Sequence, residues 1–230
     1  MKTIGMLGGM SWHSTALYYE LINQGVQQRL GGLHSAKIIM SSVDFAQIEQ
    51  LQSHGDWDKA GEILAHQAFN LQHAGADFLL ICTNTMHISA PIIEQKINIP
   101  ILHIADSTAD EILRQGYRTT GLLGTKFTMQ MDYYISRLQH KGLNVLVPDE
   151  IACNKINDVI FEELCFGDIK QNSKQDYLKY IDDLSIRGAE CVIEGCTEIT
   201  LLVKQTDTKV KLFDTTAIHA EAAVNFALAH

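Results

Sequence analysis

The chain has 230 residues, 46% of them hydrophobic and 20% charged, with only 3 prolines; this suits one large folded domain or two small ones and excludes disordered, collagen-like and mini-protein classes. Eighteen Lys and Arg against 27 Asp and Glu leave a net charge of -9, a field that repels a phosphate backbone, so no nucleic-acid partner is expected. Five scattered cysteines (Cys82, Cys153, Cys165, Cys191, Cys196) without a C-x-x-C pair, and an amino terminus whose apolar stretch is too short for a leader or a membrane span, point to free thiols in the cytoplasm and to no membrane partner.

Short apolar runs alternate with longer stretches of helical period. Residues 3–7 read as a strand, followed by a glycine turn and a helix whose apolar face holds Tyr18, Leu21, Ile22 and Val26. Further strands are expected at 36–40, 78–82, 99–104, 120–123, 143–147, 191–195 and 210–213, with helical patterns between them. Near-continuous apolar strands such as Phe78-Leu79-Leu80-Ile81 are what a sheet covered by helices on both faces requires, which favours a parallel α/β architecture.

An internal repeat organises these elements. Thr3-Ile-Gly-Met-Leu-Gly-Gly9 returns as Thr119-Thr-Gly-Leu-Leu-Gly-Thr125, and Gly75-Ala-Asp-Phe-Leu-Leu-Ile-Cys-Thr83 returns as Gly188-Ala-Glu-Cys-Val-Ile-Glu-Gly-Cys196. Two matches in the same order argue for duplication, hence two pseudo-symmetric parallel-sheet α/β domains, expected as 1–105 with 207–230 and as 106–206. Ligands of open α/β sheets sit beyond the carboxyl ends of the strands, so the cleft between the domains is the expected site. The repeat sets Thr83 opposite Cys196, Asn84 opposite Thr197 and Thr85 opposite Glu198.

Cys196 follows an expected strand and precedes the apolar helical run beginning at Ile199. A helix amino terminus favours a thiolate and would lower the thiol toward neutrality, while the adjacent Glu198 opposes that effect. Cys153, Cys165 and Cys191 read as small buried hydrophobes. The Gly8-Gly9-Met10-Ser11 turn offers backbone N–H groups as an anion site, but Gly5-x-x-Gly8-Gly9 is not a dinucleotide fingerprint. Ten histidines show no metal-binding spacing, so no metal is expected.

With these residues in view, the chain resembles the aspartate/glutamate racemase family of cofactor-independent amino-acid racemases. The matching stretches are Gly5-Met-Leu-Gly-Gly-Met-Ser11, Thr83-Asn-Thr-Met-His87, Leu123-Gly-Thr-Lys126, Lys155-Ile-Asn157 with Phe161-Glu-Glu-Leu164, Gly195-Cys-Thr-Glu198 and Phe213-Asp-Thr-Thr-Ala-Ile-His219. The resemblance implies an isomerase that needs neither pyridoxal phosphate nor another cofactor, a carboxyl-terminal helix returning to the first domain, and a homodimer. Family members usually carry a cysteine directly before Asn-Thr in the first half; here that residue is Thr83. Cys82 is one residue early, and neighbouring strand side chains point to opposite faces, so it reads as core.

Racemisation removes the α-proton on one face and returns a proton on the other. Cys196 is the expected base, and Thr83, whose hydroxyl does not titrate usefully, the weak partner on the opposite face. Met10, Gln52, Asn84, Thr85, Lys155 and Thr197 are the expected substrate contacts. Lys155 lies where the family's Lys-x-Asn segment meets a substrate side-chain carboxylate, which implies L-aspartate or L-glutamate, whereas the loop 42–54 has no arginine and offers only Gln52 and His54. Two alternatives stay open: a single-cysteine decarboxylase of the same superfamily, and an amino-acid binding protein that has lost one base.

Overall fold

The structure is a computed structural model and describes residues 1–229. The chain divides into two compact units: Met1–Ile104 with the chain from His219 onward, and Ala105–Ile218. In the first unit the order is β1 (Ile4–Gly8), α1 (Trp12–Leu30), β2 (Ile38–Ser42), α2 (Phe45–Ser53), α3 (Trp57–His73), β3 (Phe78–Ile81), α4 (Ala90–Glu94) and β4 (Ile101–Leu102). Helix α5 (Ile104–Arg114) leads into the second unit, which continues with β5 (Thr119–Gly124), α6 (Lys126–Gln130), α7 (Asp132–His140), β6 (Asn144–Leu146), α8 (Glu150–Glu162), α9 (Gln171–Ile186), β7 (Cys191–Gly195), α10 (Ile199–Leu202) and β8 (Lys211–Asp214). Helix α11 (Thr215–Leu228) carries the chain back to the first unit.

Each unit holds one four-stranded parallel sheet, ordered β2-β1-β3-β4 in the first and β6-β5-β7-β8 in the second. The two orders are the same order, and the repeated sequence segments occupy matching places in them: β1 and β5 lie second, β3 and β7 third. The α/β class with two parallel sheets is therefore the one expected. Parallel strands need crossover connections and cover both faces of their sheet, which is why β1, β3 and β7 are buried along their whole length.

Strand alternation sorts the first core into two faces. Ile4, Met6, Phe78, Leu80 and Cys82 pack with Tyr18, Ile22 and Val26 of α1 and with Ala220, Ala223, Val224 and Ala227 of α11. Leu7, Leu79 and Ile81 pack on the other side with Ile48 of α2, Leu64 and Ala68 of α3 and Ile93 of α4. In the second unit, a Cβ on Gly121 would stand 2.9 Å from Leu184 Cδ1 of α9, and one on Gly124 would stand 3.2 Å from Thr128 of α6. Glycine on the central strand thus lets a helix approach each face closely.

Most strand boundaries lie within one or two residues of the sequence reading, and two boundaries differ more. Residues 207–218, expected with the first domain, belong to the second unit. The cause is backbone pairing: β8 lies parallel to β7 with Val192 against Leu212 and Ile193 against Phe213, so this apolar segment satisfies its peptide groups there, and the return begins only at His219. The strand expected at 99–104 shrinks to Ile101–Leu102, because α5 already starts at Ile104.

Candidate active site

In both sheets the strand order reverses between the two central strands, and ligands of open α/β sheets gather beyond the carboxyl ends at such a point. In the first unit the loops there follow β1 and β3. Gly9 ends β1 at φ +95, and a Cβ on it would sit 2.2 Å from the Val43 carbonyl oxygen, so only glycine fits the turn. Its N–H donates to Thr15 Oγ1 at 2.9 Å, so this amide is engaged inside the protein and is not the anion donor expected of the turn. Ser11 caps α1, its hydroxyl oxygen accepting from Ser14 N at 3.4 Å. The Met10 side chain is buried in the core cluster that also holds Leu7, Ile48 and Met86, which leaves its backbone as the part of Met10 that could serve the expected substrate contact.

After β3, Thr83 is partly exposed while Asn84 and Thr85 are buried. The loop is pinned by His87, whose Nδ1 lies 2.7 Å from the Thr83 carbonyl oxygen and whose Nε2 accepts from Ile104 N at 3.3 Å. A carbonyl can only accept and an amide can only donate, which sets the ring as the neutral tautomer with its proton on Nδ1. Gln52 is buried over the same loop, its Nε2 donating to Met86 Sδ at 2.8 Å. Met10, Gln52, Thr83, Asn84 and Thr85 therefore gather at one end of the first sheet. His54 is exposed and turned back on its own helix, with Nδ1 2.6 Å from the Gln50 carbonyl oxygen. Cys82 is fully buried with its thiol pushed up by desolvation, a core residue as its strand parity predicts.

In the second unit the corresponding loop is Cys196-Thr197-Glu198, all partly exposed, between β7 and α10. Cys196 Sγ donates to Glu198 Oε2 at 2.9 Å, and Thr197 Oγ1 lies 2.8 Å from Thr216 Oγ1. Desolvation first, then the Glu198 charge and hydrogen bond, push the Cys196 thiol well above its ordinary value. This corrects the expectation of a thiol lowered by a helix amino terminus: α10 spans only 4 residues, a dipole too short to outweigh burial beside a carboxylate. Cys165, pushed up to about 12 by desolvation and by Glu198, and the buried Tyr177 also interact with this group. Lys155 is exposed on α8, away from the buried stripe Ala152, Ile156 and Val159. Asn157 Oδ1 of the same segment accepts from Lys126 N at 3.1 Å and so ties α8 to the first residue of α6.

Two clusters escaped the sequence reading. Glu194 and Asp214 are register partners on β7 and β8; burial first, then repulsion from the Asp214 carboxylate, push Glu194 up to about 8, and its Oε1 has no hydrogen-bond partner. His219 Nε2 lies 2.7 Å from the Leu102 carbonyl oxygen and Nδ1 2.8 Å from Tyr18 Oη; burial pushes this imidazole down to about 4. The motifs containing Glu194 and His219 were visible, but the pairing of strands and helices that buries them was not. Among the described residues no cluster of His, Cys, Asp and Glu is arranged to hold a metal ion, and no helix is long and apolar enough to cross a membrane.

Known proteins share this fold. Residues 7–223 match the model of the Asp/Glu/hydantoin racemase family. The broad specificity amino-acid racemase RacX of Bacillus subtilis (strain 168) is 24% identical over 99% of both chains. A crystal structure of a candidate Asp/Glu racemase from Yersinia pestis shares 51% identity over all of both chains with a TM-score of 0.94. An aspartate racemase homologue from Pyrococcus horikoshii OT3 shares 35% identity, again over all of both chains, with a TM-score of 0.85. A match along nearly the whole chain, carried by relatives of this similarity, means that the chain belongs to the Asp/Glu/hydantoin racemase family.

Proposed function

We propose that this racemase inverts the Cα of an acidic amino acid, L-aspartate or L-glutamate, without a cofactor, with Cys196 moving the proton on one face and Thr83 standing on the other. The observation that carries the reading is the Cys196 thiol, held beyond the end of β7 in a polar loop and hydrogen-bonded to Glu198 at 2.9 Å. Thr83 occupies the matching place beyond β3 in the other sheet. As thiolate, Cys196 takes the Cα proton; as thiol, it returns one. Thr83 does not titrate near neutral pH, so its face exchanges protons through an ordered water.

The carbanionic intermediate needs donors on the substrate carboxylate. Asn84, Thr85 and Thr197 supply them, and Met10 contributes through its backbone because its side chain is buried. Lys155 meets the side-chain carboxylate and accounts for the acidic preference. Gln52 stands where a guanidinium would grip the same carboxylate more firmly, which widens the range toward polar neutral amino acids. A decarboxylase fits less well, because departure of a carboxylate as carbon dioxide is favoured by an apolar pocket and these loops are polar.

The test is solvent deuterium exchange at Cα of L-aspartate and L-glutamate in deuterium oxide, with no added cofactor. Wild type should exchange; Cys196→Ser, which removes the thiol and little volume, should lose at least about 100-fold while keeping its thermal midpoint. Exchange persisting in Cys196→Ser refutes the assignment, and carbon dioxide released from a malonate in place of exchange supports the decarboxylase.

A further inference from the structure

Resting on the reading of Thr197 as a substrate contact, we propose that Glu194 and Asp214 are positioning residues for it: while this carboxyl pair keeps one proton it holds the first turn of α11, and that turn sets the Thr197 hydroxyl. Both carboxyls act through α11 and Thr197.

The connection is made of hydrogen bonds within the second unit. Asp214 Oδ1 accepts from Thr216 N at 2.8 Å and from Ala217 N at 3.1 Å, which ties down two of the first amides of α11. Thr215 Oγ1 donates to the Glu194 carbonyl oxygen at 2.9 Å, so the same turn is also fastened to β7. Between these anchors stands Thr216, whose Oγ1 lies 2.8 Å from Thr197 Oγ1. Thr215 and Thr216 are fully buried, so any shift of the turn carries the Thr216 hydroxyl with it and moves the partner of Thr197.

The carboxyl pair stands at the root of this turn. Glu194 and Asp214 are register partners on neighbouring parallel strands and share a face of the sheet. Glu194 is 5% exposed, and its Oε1 has no hydrogen-bond partner. A buried carboxyl oxygen without a donor is held more cheaply as a neutral acid, the more so beside a second carboxylate. Desolvation first, then Asp214, push Glu194 up to about 8, while Lys204 opposes them. Burial raises Asp214 too, against the pull of the α11 amides and of Lys204. Among the described residues Asp214 and Lys204 are the charged groups acting on Glu194, and its register partner on β5 is the apolar Leu123. With Glu194 protonated, the pair carries its negative charge on Asp214, where the α11 amides meet it. As the pH rises through about 8, Glu194 gives its proton to water and two like charges stand side by side. Strands β7 and β8 are fixed by their ladder, so the repulsion is relieved at the first turn of α11.

The test compares wild type with Glu194→Gln, which keeps the shape and removes the titration, in the full chain. The first readout is amide hydrogen exchange of Thr216 and Ala217 by NMR, corrected for the base-catalysed rate. In wild type these amides should lose protection at least about tenfold between about pH 6.5 and about pH 9, and in Glu194→Gln less than about twofold. The second is KM for L-aspartate from initial Cα exchange rates, which should rise at least about fivefold over that interval in wild type and less than about twofold in the variant. Comparison of the two proteins at each pH cancels titration of the substrate itself. A purely structural prop would weaken both readouts at every pH and leave their pH dependence as it is. Protection that is flat in wild type, or that falls equally in Glu194→Gln, overturns the proposal, and so does a KM profile that the substitution leaves unmoved. Should Glu194→Gln not fold, Thr216→Val removes the hydroxyl beside Thr197 and little volume: KM should lose its pH dependence while the Ala217 amide keeps its own. A KM profile like that of wild type in Thr216→Val overturns the proposal again. Absence of Cα exchange in wild type refutes the racemase reading, yet an amide profile that loses its pH dependence in Glu194→Gln would still establish the hold of the pair on α11.

Discussion

At the scale of single residues, two equivalent places in two similar sheets carry groups of unequal acidity. Cys196 has a titratable thiol beside Glu198, whereas Thr83 has a hydroxyl on a loop pinned through its carbonyl by His87. Since His87 grips the backbone and not the side chain, a new side chain at 83 should leave the loop in place. Thr83→Cys then supplies a second titratable group. Wild type should exchange one enantiomer far faster than the other, with L as the favoured hand. The variant should gain at least about tenfold on the poorly handled enantiomer, because an acid of suitable strength then stands on each face. Initial exchange rates of both enantiomers in deuterium oxide measure this; an unaltered ratio would show that residue 83 does not face Cα. The equilibrium constant stays at unity in either protein, since only rates differ.

At the scale of elements, the site segments are held by caps and close helix contacts. Asp149 caps α8, its Oδ1 accepting from Ala152 N at 2.8 Å, and this helix carries both Lys155 and the Asn157 tie to the start of α6. Asp149→Ala removes the partner of a first-turn amide and the favourable charge at the helix start, so it should lower stability by about 1 kcal/mol in urea denaturation. An unchanged midpoint would mean that water replaces the cap at no cost. Helix α11 is held against α1 by small residues: a Cβ on Gly25 would stand 2.9 Å from Val224 Cγ2, and Arg29 pairs with Glu221 and bonds Asn225 Oδ1 at 3.0 Å. The small side chains of Ala220, Ala223 and Ala227 permit that approach.

At the scale of the whole molecule, the buried His219 couples stability to pH. Its imidazole titrates at about 4 in the folded protein against an ordinary 6.5, because desolvation disfavours the charged ring. The unfolded chain thus binds the extra proton between those values, and stability must fall as pH drops from 6.5 toward 4. The shift amounts to about 3 kcal/mol for a fully buried ring. In His219→Gln this part of the acid slope should vanish, so the difference in unfolding free energy between pH 6.5 and pH 4 should shrink by about that amount. Parallel slopes in the two proteins would show that His219 does not carry the linkage.

The apolar runs, their glycine boundaries and the repeat were enough to locate the eight strands of the described residues, and β7 begins and ends where its run of residues 191–195 does. Local signals suffice there because a strand covered on both faces must be apolar throughout, and glycine ends it. The same signals name Thr83, Cys196 and their neighbours, since strand ends in parallel sheets are where a chain can place polar groups without burying them unpaired. What the sequence leaves undecided is set by partners far apart along the chain. Tyr18, Leu102 and His219 meet only once α11 has returned, and Glu194 loses acidity through burial and, second, through Asp214 on the neighbouring β8. The protonation of Cys196 is of this kind too: a helix start beside a cysteine argues for a thiolate. Burial beside Cys165, Tyr177 and Glu198 makes it a thiol instead, because desolvation is a property of everything packed around a group and not of its neighbours in sequence.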